Sequence, residues 1–136
     1  MIPILENIAK YVTLTPEEQE LFLSKIEIRK YKSKTVLLHA GEIATYTYFV
    51  NSGILRSFSI NDNIMEHILH FACEGWWIGD MYSYIAQKPG NLFIEVIEDA
   101  EVVLISKEKQ NQLQTLKAGK RFLKKMLCRC ACWWRL

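Results

Sequence analysis

Long apolar runs are missing from this 136-residue chain, and so is any imbalance of charge. Seventeen Lys and Arg face 15 Asp and Glu, a net charge of +2 that neither favours nor excludes a nucleic-acid partner, because a local patch fits within a near-neutral total. The first apolar stretch is interrupted by Glu6 and Lys10, so neither a signal peptide nor a membrane span is predicted and a cytoplasmic location is expected. Cysteine is sparse and placed badly for a disulfide framework: Cys73 stands alone, while Cys128, Cys130 and Cys132 crowd the end. Reduced thiols are expected. Repeats, low-complexity tracts and an interdomain linker are also lacking.

What is present is a chain that is 50% hydrophobic, enough for one domain with a real core. Ile4, Leu5, Ile8 and Tyr11 recur at helical spacing over 4–12. Thr15-Pro16-Glu17-Glu18 is then a capping box with proline at the first helical position, predicting a second helix to about Lys25 with Leu21 and Phe22 inward. From Ile26 the period becomes two, and Val36-Leu37-Leu38 is a short apolar strand. Strands are predicted over Tyr46–Val50 and Ile54–Ile60 with a hairpin turn at Asn51-Ser52-Gly53, and another turn at Asn61-Asp62-Asn63.

Ile64 to Ala72 alternates with apolar residues on both faces, the pattern of a strand inside a two-layer β structure. Leu92–Glu98 and Val102–Ile105 are predicted as closing strands joined by a turn at Asp99-Ala100-Glu101. Ser106 caps a last helix with Glu108 in its first turn, and helical patterning runs on to the end. There Leu116, Leu123, Met126, Cys130 and Trp133 form a short heptad-like seam that suits a partner helix from a second copy. Short strands framed by helices indicate a mostly β sandwich or jelly roll.

The stretch richest in chemistry is Gly75-Trp76-Trp77-Ile78-Gly79-Asp80-Met81-Tyr82-Ser83, an apolar strand that turns through glycine into a short helix, Met81 to Ala86. Glycine lets the backbone approach a ligand, and the first helical amides suit an anion. The same residues also fit a plain tight turn in which Asp80 only caps the helix.

Glu17-Glu18-Gln19-Glu20-Leu21-Phe22, His39-Ala40-Gly41-Glu42, Tyr48-Phe49-Val50-Asn51-Ser52-Gly53, Glu66-His67-Ile68-Leu69 and Gly75-Trp76-Trp77-Ile78-Gly79-Asp80 together resemble the sensor half of the Crp/Fnr transcription regulators. The resemblance spans roughly Leu14 to Ser106. It implies a mostly β fold, the double-stranded β-helix or jelly roll of cyclic nucleotide-binding domains, over residues 1–116 with N-terminal helices, and a C-terminal dimerisation helix over 117–136. It implies an effector domain rather than an enzyme, with a small-molecule effector, a homodimer through that helix, no resident cofactor and no metal. DNA would be bound only through a further domain, which the resemblance expects beyond the helix and this chain does not carry.

On the family pattern Gly79, Asp80 and Met81 open the phosphate-binding cassette, where helix amides meet phosphate and an acid takes a ribose hydroxyl; Leu69 and Asn91 complete the implied ligand-binding set. The family's cyclic-nucleotide binders end the cassette in Arg and then Ser or Thr. Here Gly90 and Asn91 stand there, and Lys88 nearby lacks the bidentate fork. Weak or absent binding of cyclic AMP is therefore expected.

Other constellations are weaker. Cys128 and Cys132 share a helical face but Cys130 does not, a poor zinc spacing. His39, His67 and His70 with Glu42 and Glu66 suggest a cupin-like metal-dependent enzyme, yet three residues of strand should put His67 and His70 on opposite faces. Lys117, Lys120, Arg121, Lys124, Lys125 and Arg129 read as a solvated face. Trp76, Trp77, Tyr82, Tyr84 and Phe93 suit packing better than ligand stacking, and a pocket plugged by such aromatics would mark a ligand-free dimerisation domain.

Overall fold

Two long strands carry the architecture of this computed structural model, which describes residues 3–9 and 15–113. β3 (Tyr46–Ile60) and β6 (Phe93–Ser106) pair antiparallel along their lengths, from Tyr46 opposite Ser106 to Phe58 opposite Phe93. The predicted hairpin turn at Asn51-Ser52-Gly53 and the turn at Asp99-Ala100-Glu101 are instead bends inside these strands, with register shifts between Val50 and Leu55. Turn-forming residues mark the right places, but they make a bulge rather than a reversal. Gly53 has φ +89°, and a Cβ there would lie 2.5 Å from the Asp99 carbonyl oxygen, so the two bends nest backbone against backbone.

Each long strand therefore serves two sets of neighbours. β1 (Glu27–Tyr31) pairs with the second half of β6, and β5 (Trp77–Ile78) with the first half of β3. β2 (Val36–Leu38) pairs with the first half of β6, and β4 (Glu66–Ala72) with the second half of β3. This is the mostly β jelly roll that the resemblance implied. Phe49, Val50, Leu55, Ile94, Val96, Val102 and Val103 are wholly buried between its walls.

Helices close the roll. α1 (Pro3–Ala9) buries Ile4. α2 (Pro16–Lys25) starts at the predicted capping box, with Thr15 Oγ1 accepting from the Glu18 N–H and Glu18 Oε1 accepting from the Thr15 N–H, both at 3.2 Å. Its inward stripe is narrow: Phe22 is buried but Leu21 is exposed, against expectation. α4 (Lys107–Leu113) starts where Ser106 Oγ accepts from the Lys109 N–H at 3.2 Å. The predicted dimerisation helix over 117–136, with its seam, basic residues and three cysteines, lies outside the described residues. No described helix is long and apolar enough to cross a membrane.

β4 also departs from expectation. It is an edge strand, not an inner one, and Ile68, Leu69 and Phe71 are exposed. A bulge opposite Ser57 and Phe58 places three β4 residues against two of β3, so that His70 faces Ser57 and His67 faces Ser59. Ser57 and Ser59 share one side of β3, so the expectation that the two histidines point apart fails because of the bulge.

Candidate functional site: the strand-to-helix cassette

β5 delivers the chain to the site by pairing Ile78 with Tyr48 and Trp77 with Phe49. Gly79 then passes close to β3, where a Cβ would meet Thr47 Oγ1 at 3.2 Å. α3 (Met81–Ala86) follows at once. Asp80 is its N-cap, with backbone φ −89° and ψ 91°, and its Oδ1 accepts from the Ser83 N–H at 3.1 Å. Asp80 as a whole is only 2% exposed.

So one of the amides opening this helix, that of Ser83, already meets a carboxylate, and it is the protein's own. Ser83 extends the arrangement: its hydroxyl donates to the Lys88 carbonyl at 2.6 Å and accepts from the Ala44 N–H at 2.8 Å. Gln87 ends the helix in the left-handed region (φ 53°), and its Nε2 donates to the Ala44 carbonyl at 3.1 Å and the Tyr84 carbonyl at 2.7 Å.

Gly90 closes the loop. Its N–H donates to the Glu42 carbonyl at 3.3 Å and its carbonyl accepts from the Gly41 N–H at 2.7 Å. A Cβ at Gly90 would overlap Asp80 Oδ2 and lie 3.0 Å from Asp80 Cγ. The turn at 39–42 is itself braced by Glu42 Oε1, which accepts from the His39 N–H and faces His39 Nδ1, both at 2.9 Å.

Gly79, Asp80 and Met81 follow one another through the turn into α3, with Asp80 capping the helix and Met81 within the core. Asn91 is exposed beside Gly90 at the entry to β6, and Leu69 is exposed on β4. Sequence reasoning missed Ser83, Gln87 and Ala44, whose ties shape the loop; a serine amid the apolar residues of the short helix was the available signal. The aromatic residues do not form one cluster. Trp77 meets Phe49 edge-on at 5.1 Å and donates its indole N–H to Asn7 at 2.9 Å, Phe93 stacks on Phe58 at 5.1 Å, and Tyr82 is exposed.

α3 also reaches the next helix. Tyr84 is buried, its hydroxyl donates to the Ile105 carbonyl at 3.5 Å, and burial pushes its phenol pKa up. The Lys107 ammonium lies 5.2 Å from the Tyr84 ring centroid, and the Lys107 N–H donates to the Thr45 carbonyl at 2.9 Å. The histidines serve elsewhere: His67 faces the Asn61 amide at 3.0 Å, and His70 Nε2 donates to the Trp77 carbonyl at 3.3 Å with its pKa lowered by burial. Among the described residues no group of three His, Cys, Asp or Glu side chains is placed to hold a metal ion.

Comparison with known proteins places this geometry. The family model for the cyclic nucleotide-binding domain matches residues 28–115. The cAMP-activated global transcriptional regulator CRP of Haemophilus influenzae is 29% identical over 116 residues, covering 80% of this chain and 52% of that protein. Its counterpart in Salmonella typhimurium is 31% identical over 94 residues, covering 69% of this chain and 45% of the other. The Thermus thermophilus catabolite activator protein superposes with a TM-score of 0.75 at 26% identity, covering 87% of this chain and 55% of that one. The chain spans about half the length of the curated relatives it matches. It belongs to the cyclic nucleotide-binding domain family, and its relatives are transcription regulators of the Crp type.

Proposed function

We propose that this domain is the effector sensor of a Crp/Fnr-type transcription regulator, taking a small molecule at the Gly79-Asp80-Met81 cassette and passing its presence to the helix that follows the roll. The supporting observation is the chain of ties from Gly90 through Asp80 and Ser83 to Tyr84, Ile105 and Lys107. An effector shifts such a device only by binding two arrangements unequally. The working protein would be a cytoplasmic homodimer without catalytic activity, reaching DNA through a domain outside this chain.

Cyclic AMP is a poor candidate. An Arg-phosphate hydrogen bond is worth roughly 1.5–3 kcal/mol, and position 90 offers no guanidinium. Titration calorimetry should find no submicromolar binding of cyclic AMP; such binding would sink this part of the reading. Sensing itself is tested by adding metabolite fractions while following the amide resonances of α3 and α4. An effector should move both sets, and a ligand that moves α3 alone argues against transmission. The capped, buried Asp80 also fits a ligand-free dimerisation domain, in which no fraction would move either set.

A further inference from the structure

We infer that Gln110 keeps α4 weakly seated on the roll, so that this helix is released and reseated while the rest of the domain stays folded. The inference deepens the sensor reading: it rests on that reading for the use made of α4, and it names the residue that sets the balance between the two arrangements. α4 packs against β6 and α2. Among its described side chains Gln110 is the only buried one, at 4% exposed; Lys107 and Lys109 are half-buried, and Glu108, Asn111 and Gln112 are exposed. A helix this short needs an apolar face to hold it, yet the described position turned inward carries an amide. The Oε1 of that amide is buried and has no hydrogen-bond partner.

An amide carbonyl buried without a donor shifts the equilibrium against the buried form by roughly five- to a hundredfold, because release returns it to water. An apolar side chain in the same place would shift it the other way by burying surface that water disfavours. The ties that hold α4 gather at its start: the Lys107 N–H donates to the Thr45 carbonyl at 2.9 Å, Ser106 Oγ accepts from the Lys109 N–H at 3.2 Å, and the Lys107 ammonium lies 5.2 Å from the Tyr84 ring centroid. The helix is thus fastened at the end that touches α3 and weakened one turn on. Seated and released arrangements then lie close in free energy, which is the condition for a small difference in effector affinity to change their populations. With an apolar residue at 110 the seated form would dominate, and the same difference would change little.

The test needs no ligand. Native-state hydrogen exchange of the whole chain is measured for the amides of residues 110–113 and, for comparison, of Val102–Leu104 in β6, in the unaltered protein, Gln110→Met and Gln110→Ala. Methionine is close to glutamine in length and helix propensity and lacks the oxygen. In the unaltered chain the α4 amides should exchange at least about tenfold faster than those of β6, and Gln110→Met should slow them about tenfold. Gln110→Ala adds no bulk and should exchange no faster than the unaltered chain, since the lost packing is offset by the loss of the unpaired oxygen. Protection of α4 equal to that of β6, or exchange at 110–113 that Gln110→Met leaves unchanged, overturns the inference and leaves the sensor reading standing. Should Gln110→Met fail to fold, alanine decides: exchange about tenfold faster in Gln110→Ala overturns the inference, and exchange no faster supports it. Slowing by methionine, with metabolite fractions moving neither the α3 nor the α4 resonances, keeps the weak seat and removes the sensor reading.

Discussion

Replacing Gly90 by alanine tests the cassette with a single methyl group. Gly90 is not among the positive-φ glycines, so its backbone conformation admits alanine. The obstacle is steric: the methyl would overlap Asp80 Oδ2 and lie 3.0 Å from Asp80 Cγ and 3.1 Å from Ser83 Cβ. Because Gly90 is held on both sides by the turn at 39–42, Asp80 has to move, and its hydrogen bond to the Ser83 N–H goes with it. Overpacking costs about 1–3 kcal/mol and loss of an Asp cap about 1 kcal/mol, so Gly90→Ala should lose about 2–4 kcal/mol. In a chain of this size that lowers Tm by on the order of 10 °C. Urea unfolding of Gly90→Ala, Asp80→Ala and the double variant gives the decisive cycle. With the carboxylate gone the methyl has room, so the double variant should be little worse than Asp80→Ala alone. A Gly90→Ala protein within about 0.5 kcal/mol of the original, or strictly additive losses, would refute the contact.

Two further perturbations bear on the frame around the site. Gly53→Ala combines a left-handed φ with a clash against the Asp99 carbonyl, which is backbone and cannot rotate away; it should cost more than about 2 kcal/mol, and an unchanged urea midpoint would remove the nested-bend account. His70 has its folded-state pKa lowered by burial, partly offset by its bond to the Trp77 carbonyl. The unfolded chain therefore binds the proton more readily, so this contribution to stability is full above the ordinary histidine pKa and falls away as pH drops through it. Unfolding free energies measured from pH 5 to pH 8 should rise with pH, and His70→Gln should flatten the slope; an equal slope in both proteins would contradict the burial account.

Local chemistry was legible wherever one short segment decides its own structure. The capping box at Thr15 and the helix Met81–Ala86 after Asp80 stand where spacing and composition put them. The failures share a cause: they depend on partners distant in the chain. Asn51-Ser52-Gly53 has hairpin composition, and only the approach of Asp99 and Ala100 makes it a bulge within a continuous strand. Leu69 and Phe71 alternate like inner-strand residues, but β4 has a neighbour on one side only. The role of Gly90 was half legible. Sequence showed that no arginine stands there, whereas the overlap with Asp80 that forbids one needs two segments in register.

A six-residue helix has too few internal hydrogen bonds to hold itself in water, so α3 exists because its surroundings hold it. Its outward residues Tyr82 and Ile85 are exposed, leaving the Asp80 cap, the Ser83 hydroxyl, the Gln87 amide and the buried Met81 and Tyr84 to keep it in place. Such an element belongs to the low-stability end of a fold, where a modest change at one end is felt at the other. A donor that draws Asp80 Oδ2 away from its present position also pulls on the cap, and Tyr84 one turn on shares its ring face with Lys107 at the start of α4. On the proposed sensor reading, the shortness of the helix is what would couple the carboxylate to the segment beyond the roll; a longer, self-sufficient helix in the same place would absorb the change within itself.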